Sequence, residues 1–321
     1  MFNNTQMQMI NMKLSGVGSR KIAKQFGVSK TTVNNVYNRY ISAERGDDVV
    51  VEQKGAKVLF LDLEVSASIV AAFSMFKHFS TPDHVIQFPY VLTYAANWLH
   101  NDIDDIECYG LHDFNSFELD HRDDFELMLR LWTLLDKADI VVGQNIMRFD
   151  NGWLNQRFAY HNLPKPSPYR LVDTMLGMKK AMALPSNSLD YSTKYFELGH
   201  NKLKHDGIKL WIDCMDGCTL ALDSMKKYNY GDIPTLRELY LKIRQFIPNH
   251  PNVALFFGDE DDKMRCNVCG SDHLTLLEGK AYTNLSVFDA YRCGGCGAVS
   301  RSGTSNTTSK QRKNLLRNIT H

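Results

Sequence analysis

Three short runs in this chain place carboxylates where divalent cations could work on a phosphate group. Asp62-Leu63-Glu64 closes an apolar run from Lys57 to Glu64 that reads as a strand buried in a sheet. Alternation along a strand points both carboxylates to one side. Against an apolar wall their charge is costly unless cations offset it. Gln144-Asn145-Ile146-Met147-Arg148-Phe149-Asp150 directly follows a second buried strand, Asp139 to Gln144, and precedes a helix. Tyr228-Asn229-Tyr230-Gly231-Asp232 lies in helical sequence, where four residues make about one turn and both ends share a face. Carboxylates gathered in this way suit two divalent ions that clamp the attacking and leaving oxygens of an in-line displacement at phosphorus.

Each run has a plainer alternative. About one D-x-E is expected by chance among this many acids, and there are three, one of them Asp105-Ile106-Glu107. Another, Asp124-Phe125-Glu126, falls in an amphipathic helix from His121 to Ala138 with Phe125, Leu127, Leu129, Leu131, Trp132 and Leu135, where a solvated face accounts for it. Asp150 can cap the helix that starts near Asn151, and the two roles are compatible. Phe149 suits a core as well as a site. Of three Y-x-x-x-D matches, Tyr109…Asp113 sits in strand-like sequence ahead of the second run, and Tyr169…Asp173 follows Pro168 in an extended segment. Only Tyr228…Asp232 is helical.

Four of the seven cysteines form a second constellation, C-x2-C-x23-C-x2-C, from Cys266, Cys269, Cys293 and Cys296. Each pair reads as a knuckle, with Gly270 and Gly297 directly after it to relieve the backbone. Four thiolates suit one tetrahedral Zn²⁺, structural because no coordination position stays open. A unit this small needs such a staple. A redox pair or an iron–sulfur cluster is the lesser reading. Cys108, Cys214 and Cys218 read as ordinary buried thiols. An odd cysteine count with two C-x-x-C pairs favours a reducing cytoplasm over a disulfide set.

The elements that must position these residues read as α/β from Ala56 onward. Strands are expected at 57–64, 69–76, 91–99 and 106–111, then the 121–138 helix, the 139–144 strand, and helices near 151–161, 174–183, 188–198 and 217–247, the last in one piece or two. Ahead of them, residues 1–42 read as three short helices: Thr5 to Leu14, with Met9, Ile10 and Leu14 inward; Ser19 to Phe26, with Ile22, Ala23 and Phe26; and Lys30 to Tyr40, with Val33, Val36 and Tyr37. Small Ala23, Gly27 at the turn and Ser29 as a cap fit a helix-turn-helix. The exposed face of its last helix would offer Thr31, Thr32, Asn34, Asn35 and Asn38 to base edges and Lys30 with Arg39 to phosphates. This segment resembles the small DNA-binding domains of resolvases and transposases; a bundle docking on protein is the alternative. Residues 43–55 read as a polar linker, 56–250 as the α/β domain, 263–300 as a zinc ribbon and 301–321 as a flexible basic tail.

With 44% hydrophobic residues the chain is not intrinsically disordered. The overall charge of +1 hides basic ends: seven Lys/Arg against one acid in residues 1–45, and five against none in 301–321, around an acidic body. Such ends suit polyanions. No apolar run is long enough for a membrane span, and the first residues lack a secretory pattern.

The three acidic runs, in this order, resemble the motifs of the DEDD (DnaQ-like) 3′–5′ exonucleases, tyrosine subclass, over about residues 56–245. The histidine subclass would need His where Lys227 stands. The resemblance implies a ribonuclease H-like fold and two Mg²⁺ or Mn²⁺ ions. It implies that Asp62 bridges both ions, Glu64 and Asp232 complete the one that activates water, and Asp150 serves the other. Tyr228 would orient the water, Asn145 the terminal nucleotide, and Asp173 would be the accessory, structural aspartate. The expected partner is DNA, with RNA open, and no membrane or protein partner is indicated. The module set is similar to that of phage-encoded nucleases, acting in a host cytoplasm. The alternative is a ribonuclease H-like transposase or resolvase, against which the Tyr228 run and N-x-x-x-F-D both argue, or a structure-selective endonuclease.

Overall fold

A computed structural model describes residues 4–15, 17–28, 30, 32–33, 36–37, 55–74, 76, 79–200, 207–258 and 263–317. The chain divides into two compact units, Met1–Gln53 and Lys54–His321.

In the first unit α1 (Asn4–Leu14) and α2 (Ser19–Phe26) stand at the expected places. Gly27 ends α2 in the left-handed conformation (φ 66°) that its lack of a side chain allows. Met9, Ile22, Ala23 and Val33 form its buried core, with Val28 packed against them. Leu14, expected inward, is exposed because α1 ends there. Lys30, Thr32, Val33, Val36 and Tyr37 are helical, Lys30 is exposed and Thr32 half-buried. Thr31, Asn34, Asn35, Asn38 and Arg39 lie outside the described residues.

The second unit is built on a five-stranded mixed sheet. Its strands are β1 (Val58–Val65), β4 (Val91–Trp98), β5 (Glu107–Gly110), β6 (Ile140–Gly143) and β7 (Arg170–Asp173), ordered β5-β4-β1-β6-β7. β4 runs antiparallel to β1 and β5, while β6 pairs parallel with β1 and β7. Three antiparallel strands followed by two parallel ones, with helices on both faces, make the sheet ribonuclease H-like. The short β2 (Ile69–Val70) and β3 (Val85–Gln87) pair with each other outside this sheet; the expected strand 69–76 is therefore only its first two residues. β7, read from sequence only as extended, is the edge strand.

β1 is apolar at almost every position because both its faces are covered. Leu59, Leu61 and Leu63 enter a core with α3 (Phe125–Leu135) and α4 (Asp150–Tyr160), while Val58 and Phe60 enter the opposite one with Ile233, Leu236 and Tyr240. After β7 come α5 (Thr174–Ala181), α6 (Leu189–Tyr195), α7 (Ile208–Met215) and α8 (Thr219–Ile243). α8 is one helix, not two, and it contains Pro234.

Asp124 corrects the reading of Asp124-Phe125-Glu126 as a solvated face. It is fully buried at the start of α3, its carboxylate accepting from Arg157 Nε (2.8 Å) and the Val91 N–H (2.9 Å), with His161 at 2.6 Å. A bidentate Arg makes such burial tolerable, and the Arg157/His161 spacing on α4 was the overlooked signal.

The chain then forms β8 (Leu274–Thr283), β9 (Ser286–Cys293) and β10 (Val299–Arg301). Beyond Ser300 the sequence suggests a flexible tail, yet it follows β9. Ser302 N donates to Asp289 O (2.8 Å), Asn306 N to Val287 O (2.7 Å) and Val287 N to Thr307 Oγ1 (2.8 Å). A Thr308/Gln311 capping box then starts α9 (Ser309–Lys313). Low hydrophobicity hid this segment, whose partners are backbone groups of a sheet strand.

Candidate active site

The site forms where β1 outruns its parallel neighbour. Pairing with β6 covers only Val58, Phe60 and the residue between them, whereas the β4 ladder continues through Asp62↔Ala95 and Glu64↔Thr93. β6 ends at Gly143, and the far half of β1 would lose hydrogen-bond partners on that side. Asp150 replaces one of them: its Oδ1 accepts the Leu63 N–H at 3.2 Å. The second acidic run is thereby held against the peptide between Asp62 and Glu64.

Asp62 and Glu64 continue the face occupied by Val58 and Phe60, as alternation requires. α8 lies over this face, with Tyr240 edge-on to Phe60 at 5.5 Å between ring centroids. Further along the same helix, Asp232 brings a carboxylate to the strand. One oxygen from each of Asp62, Glu64 and Asp232 lies within 4.8 Å of the others. Three carboxylates at this separation could hold a divalent cation, whose charge would offset their mutual repulsion. Tyr228, one turn before Asp232, is buried. Asp150 is not part of the trio, but adjoins it through Leu63.

Burial dominates the state of Asp150. It pushes the carboxyl up to about 7 despite the opposing backbone N–H groups of Asp150 and Leu63, and the charge of Asp173 adds to the rise. Asp173 itself caps α5, and its two oxygens accept from the N–H groups of Leu176 (2.9 Å), Asn145 (3.2 Å) and Met147 (3.1 Å). It therefore shapes the loop between β6 and α4. Asn145 takes a left-handed backbone there (φ 62°), which asparagine tolerates better than most residues, and its Oδ1 is buried without a hydrogen-bond partner. Phe149 is not core: it is substantially exposed, with its ring 6.3 Å from that of Trp153.

Two site residues escaped the sequence reading. Asn229 is buried, donates from Nδ2 to Asp62 Oδ2 at 2.6 Å, and accepts at Oδ1 from Thr93 Oγ1 at 3.4 Å. Its place three residues before Asp232, on the same helix face, was the available signal. Thr93 is the polar residue opposite Glu64 in a strand otherwise mostly apolar.

The four cysteines also come together. Cys266 and Cys296 Sγ are 3.6 Å apart, Cys269 and Cys293 3.5 Å, and all four lie within 4.8 Å of one another. Val268 N points at Cys266 Sγ (3.4 Å) and Gly295 N at Cys293 Sγ (3.3 Å). Burial raises the Cys293 thiol, but the N–H groups of Cys296 and Gly295, with the thiols of Cys269 and Cys266, together outweigh it and bring it to about 7. Gly270 and Gly297 have φ of 76° and 80°. A Cβ on Gly270 would meet the Phe257 ring at 2.3 Å, so this glycine also lets the cluster dock on the α/β body. Cys218, expected buried, is exposed at the N-cap of α8, while Cys214 is buried near the end of α7.

Fold and site together define a ribonuclease H-like α/β protein with a carboxylate cluster on the central strand of its sheet and a separate four-cysteine site. Among solved structures the chain is similar to the family B DNA polymerase from the hyperthermophilic archaeon Pyrobaculum calidifontis, at 16% sequence identity and a TM-score of 0.44, covering 63% of this chain and 26% of that one. The chain thus spans about a quarter of that polymerase's length. Neither family models nor curated protein sequences give a match. No helix among the described residues is long and apolar enough to cross a membrane.

Proposed function

We propose that the chain is a metal-dependent 3′–5′ exonuclease acting on single-stranded or frayed 3′ ends of DNA. The observation that carries this reading is the convergence of Asp62, Glu64 and Asp232 within 4.8 Å, with Asp150 bonded to the intervening peptide. These four acids would hold two Mg²⁺ or Mn²⁺ ions, which would supply positive charge to offset the negative charge developing on the phosphate and the leaving oxygen. Asn229 fixes the orientation of Asp62. Tyr228, one turn from Asp232, orients the attacking water through its hydroxyl. Asp173 holds the loop carrying Asn145, and the buried amide oxygen of Asn145 is left to meet the terminal nucleotide. In the other cluster, Cys266, Cys269, Cys293 and Cys296 would hold a structural Zn²⁺, consistent with sulfur separations close to the ~3.8 Å edge of a tetrahedron built on ~2.3 Å bonds. Residues 1–42 would bind DNA as a helix-turn-helix, joined by a 43–55 linker to a nuclease domain over 56–250.

Labelled single-stranded DNA, duplex DNA and RNA incubated with Mg²⁺ or Mn²⁺ test the reading. A ladder growing from the 3′ end on DNA is expected, lost in Asp62→Ala and Asp150→Ala while folding and DNA binding persist. Internal cuts without end dependence, or wild-type cleavage by either variant, would overturn it.

A further inference from the structure

Between β1 and β4 the chain leaves the sheet for residues 66–90 and returns beside its point of departure. The base is pinched: Ser66 N donates to Tyr90 O and Tyr90 N to Ser66 Oγ, both at 2.9 Å. Trp211 Nε1 ties down the preceding residue, donating to Val65 O at 3.1 Å. This excursion therefore springs from the end of the sheet that carries the carboxylates, two residues after Glu64 and three before Thr93, which faces Glu64 across the ladder. Within it, β2 and β3 form a small ribbon, braced by Ala71 N donating to His84 O (2.8 Å).

What the excursion presents is aromatic. Phe73, Phe76, Phe79 and Phe88 are 97%, 82%, 84% and 69% exposed. Exposed apolar surface of this kind on a protein without membrane-spanning helices among its described residues marks a contact site. Three of the rings recur at every third residue, separated by Ser74-Met75 and Lys77-His78, and the whole of 66–90 has a single acid, Asp83, in a chain whose body is acidic. Phosphates are thus not repelled where the rings stand. Rings interleaved in sequence with a cation, on a segment rooted beside Glu64 and Thr93, match the stacking platforms of single-strand binding, where each ring receives a base face whatever the sequence.

We infer that this excursion is a base-stacking platform for the unpaired nucleotides leading to the 3′ terminus. The inference rests on the exonuclease reading for its ligand, and its test does not. Full-length wild type, Phe73→Ala/Phe76→Ala/Phe79→Ala and the matching triple Leu variant are titrated in divalent-free buffer with a 12-residue oligothymidylate carrying 2-aminopurine near its 3′ end, and with a duplex of equal length. The rings are exposed, so circular dichroism of the variants should match the wild type; the three single Ala variants serve if a triple variant does not fold. Both triple variants should bind the single strand roughly tenfold or more weakly and lose the fluorescence quenching. Duplex affinity should stay unchanged. Hydrolysis of thymidine 5′-p-nitrophenyl phosphate, too small to reach the platform, reads the metal site alone and should be equal in all forms. Unchanged single-strand affinity in the Ala variants overturns the inference, as does full affinity in the Leu variant, which would mean apolar docking of a protein segment. Absence of hydrolysis by the wild type would instead sink the exonuclease reading, leaving the stacking result to stand by itself.

Discussion

Asn229 Nδ2 donates to Asp62 Oδ2 at 2.6 Å, and this bond joins the first acidic run to the last across the gap between β1 and α8. Thr93, on the neighbouring strand, holds the other end of the same amide. Under the proposed mechanism Asp62 would need a defined orientation toward its cations, and a buried amide donor would supply it. Partners of this outer kind typically contribute 10–100-fold in metal affinity or activity.

Asn229→Leu should therefore weaken Mn²⁺ binding, followed by titration calorimetry, by roughly 10-fold or more, and should lower kcat more than it raises KM. Far-ultraviolet dichroism should not change. If Mn²⁺ affinity were that of the wild type, Asn229 would be a packing residue only.

Tyr228→Phe keeps the ring, which belongs to the same core as Leu59, Leu61 and Leu63, and removes the hydroxyl. Under the proposed mechanism the rate should fall by roughly 10²-fold with Mn²⁺ affinity intact. Equal rates would return Tyr228 to a purely structural place.

Asp150 makes a pH-dependent prediction. Its folded pKa of about 7 lies above the ordinary 3.8, so between those values the folded chain holds a proton that the unfolded chain has released. Stability contributed by this group is thus complete below about pH 4 and is lost as pH rises toward 7. At about 1.4 kcal/mol per pH unit the full loss is on the order of 4 kcal/mol. Asp150→Asn, whose Oδ1 can still accept from Leu63, should match the wild type near pH 4 and exceed it above pH 7. Urea unfolding in divalent-free buffer without chelator, which would also strip the cysteine site, measures this. A wild-type-to-variant gap that stays constant with pH would contradict the burial argument.

The residues that were legible from sequence are those whose local pattern coincides with their spatial role. Asp62 and Glu64 alternate on a strand, Tyr228 and Asp232 share a helix face, and the cysteine knuckles carry their own glycines. Asn229 and Thr93 were not legible, because their partner lies across more than a hundred residues of sequence and neither type is unusual where it stands. Asp124 was misread for the same reason: a helix-start acid looks solvated until Arg157 and His161 arrive from another helix. Strand β7 was short and at an edge, where only pairing with β6 distinguishes it from extended loop.

The cysteine site should fail as a unit. Cys293→Ser removes the thiol most disposed to ionise, and it should release one equivalent of zinc, read with a metallochromic dye. The 266–300 region should become protease-sensitive while the α/β body, with buried cores of its own, survives. Retention of stoichiometric zinc would show that the four sulfurs do not act as one ligand set.

The basic N-terminal unit yields the remaining prediction. Residues 1–45 hold seven Lys/Arg and one acid, and Met1–Gln53 is compact by itself, so its removal leaves the α/β body with all of its core. If these cations meet phosphates, deletion releases fewer counterions on binding, and the slope of log affinity against log salt should flatten by up to about 0.9 for each phosphate no longer neutralised. Duplex affinity at low salt should fall with it. Short oligonucleotides should still be degraded at high enzyme concentration, because every proposed site residue from Asp62 to Asp232 remains. A unit that instead docks on protein would leave the salt slope as steep as before, and that outcome would remove DNA from its account.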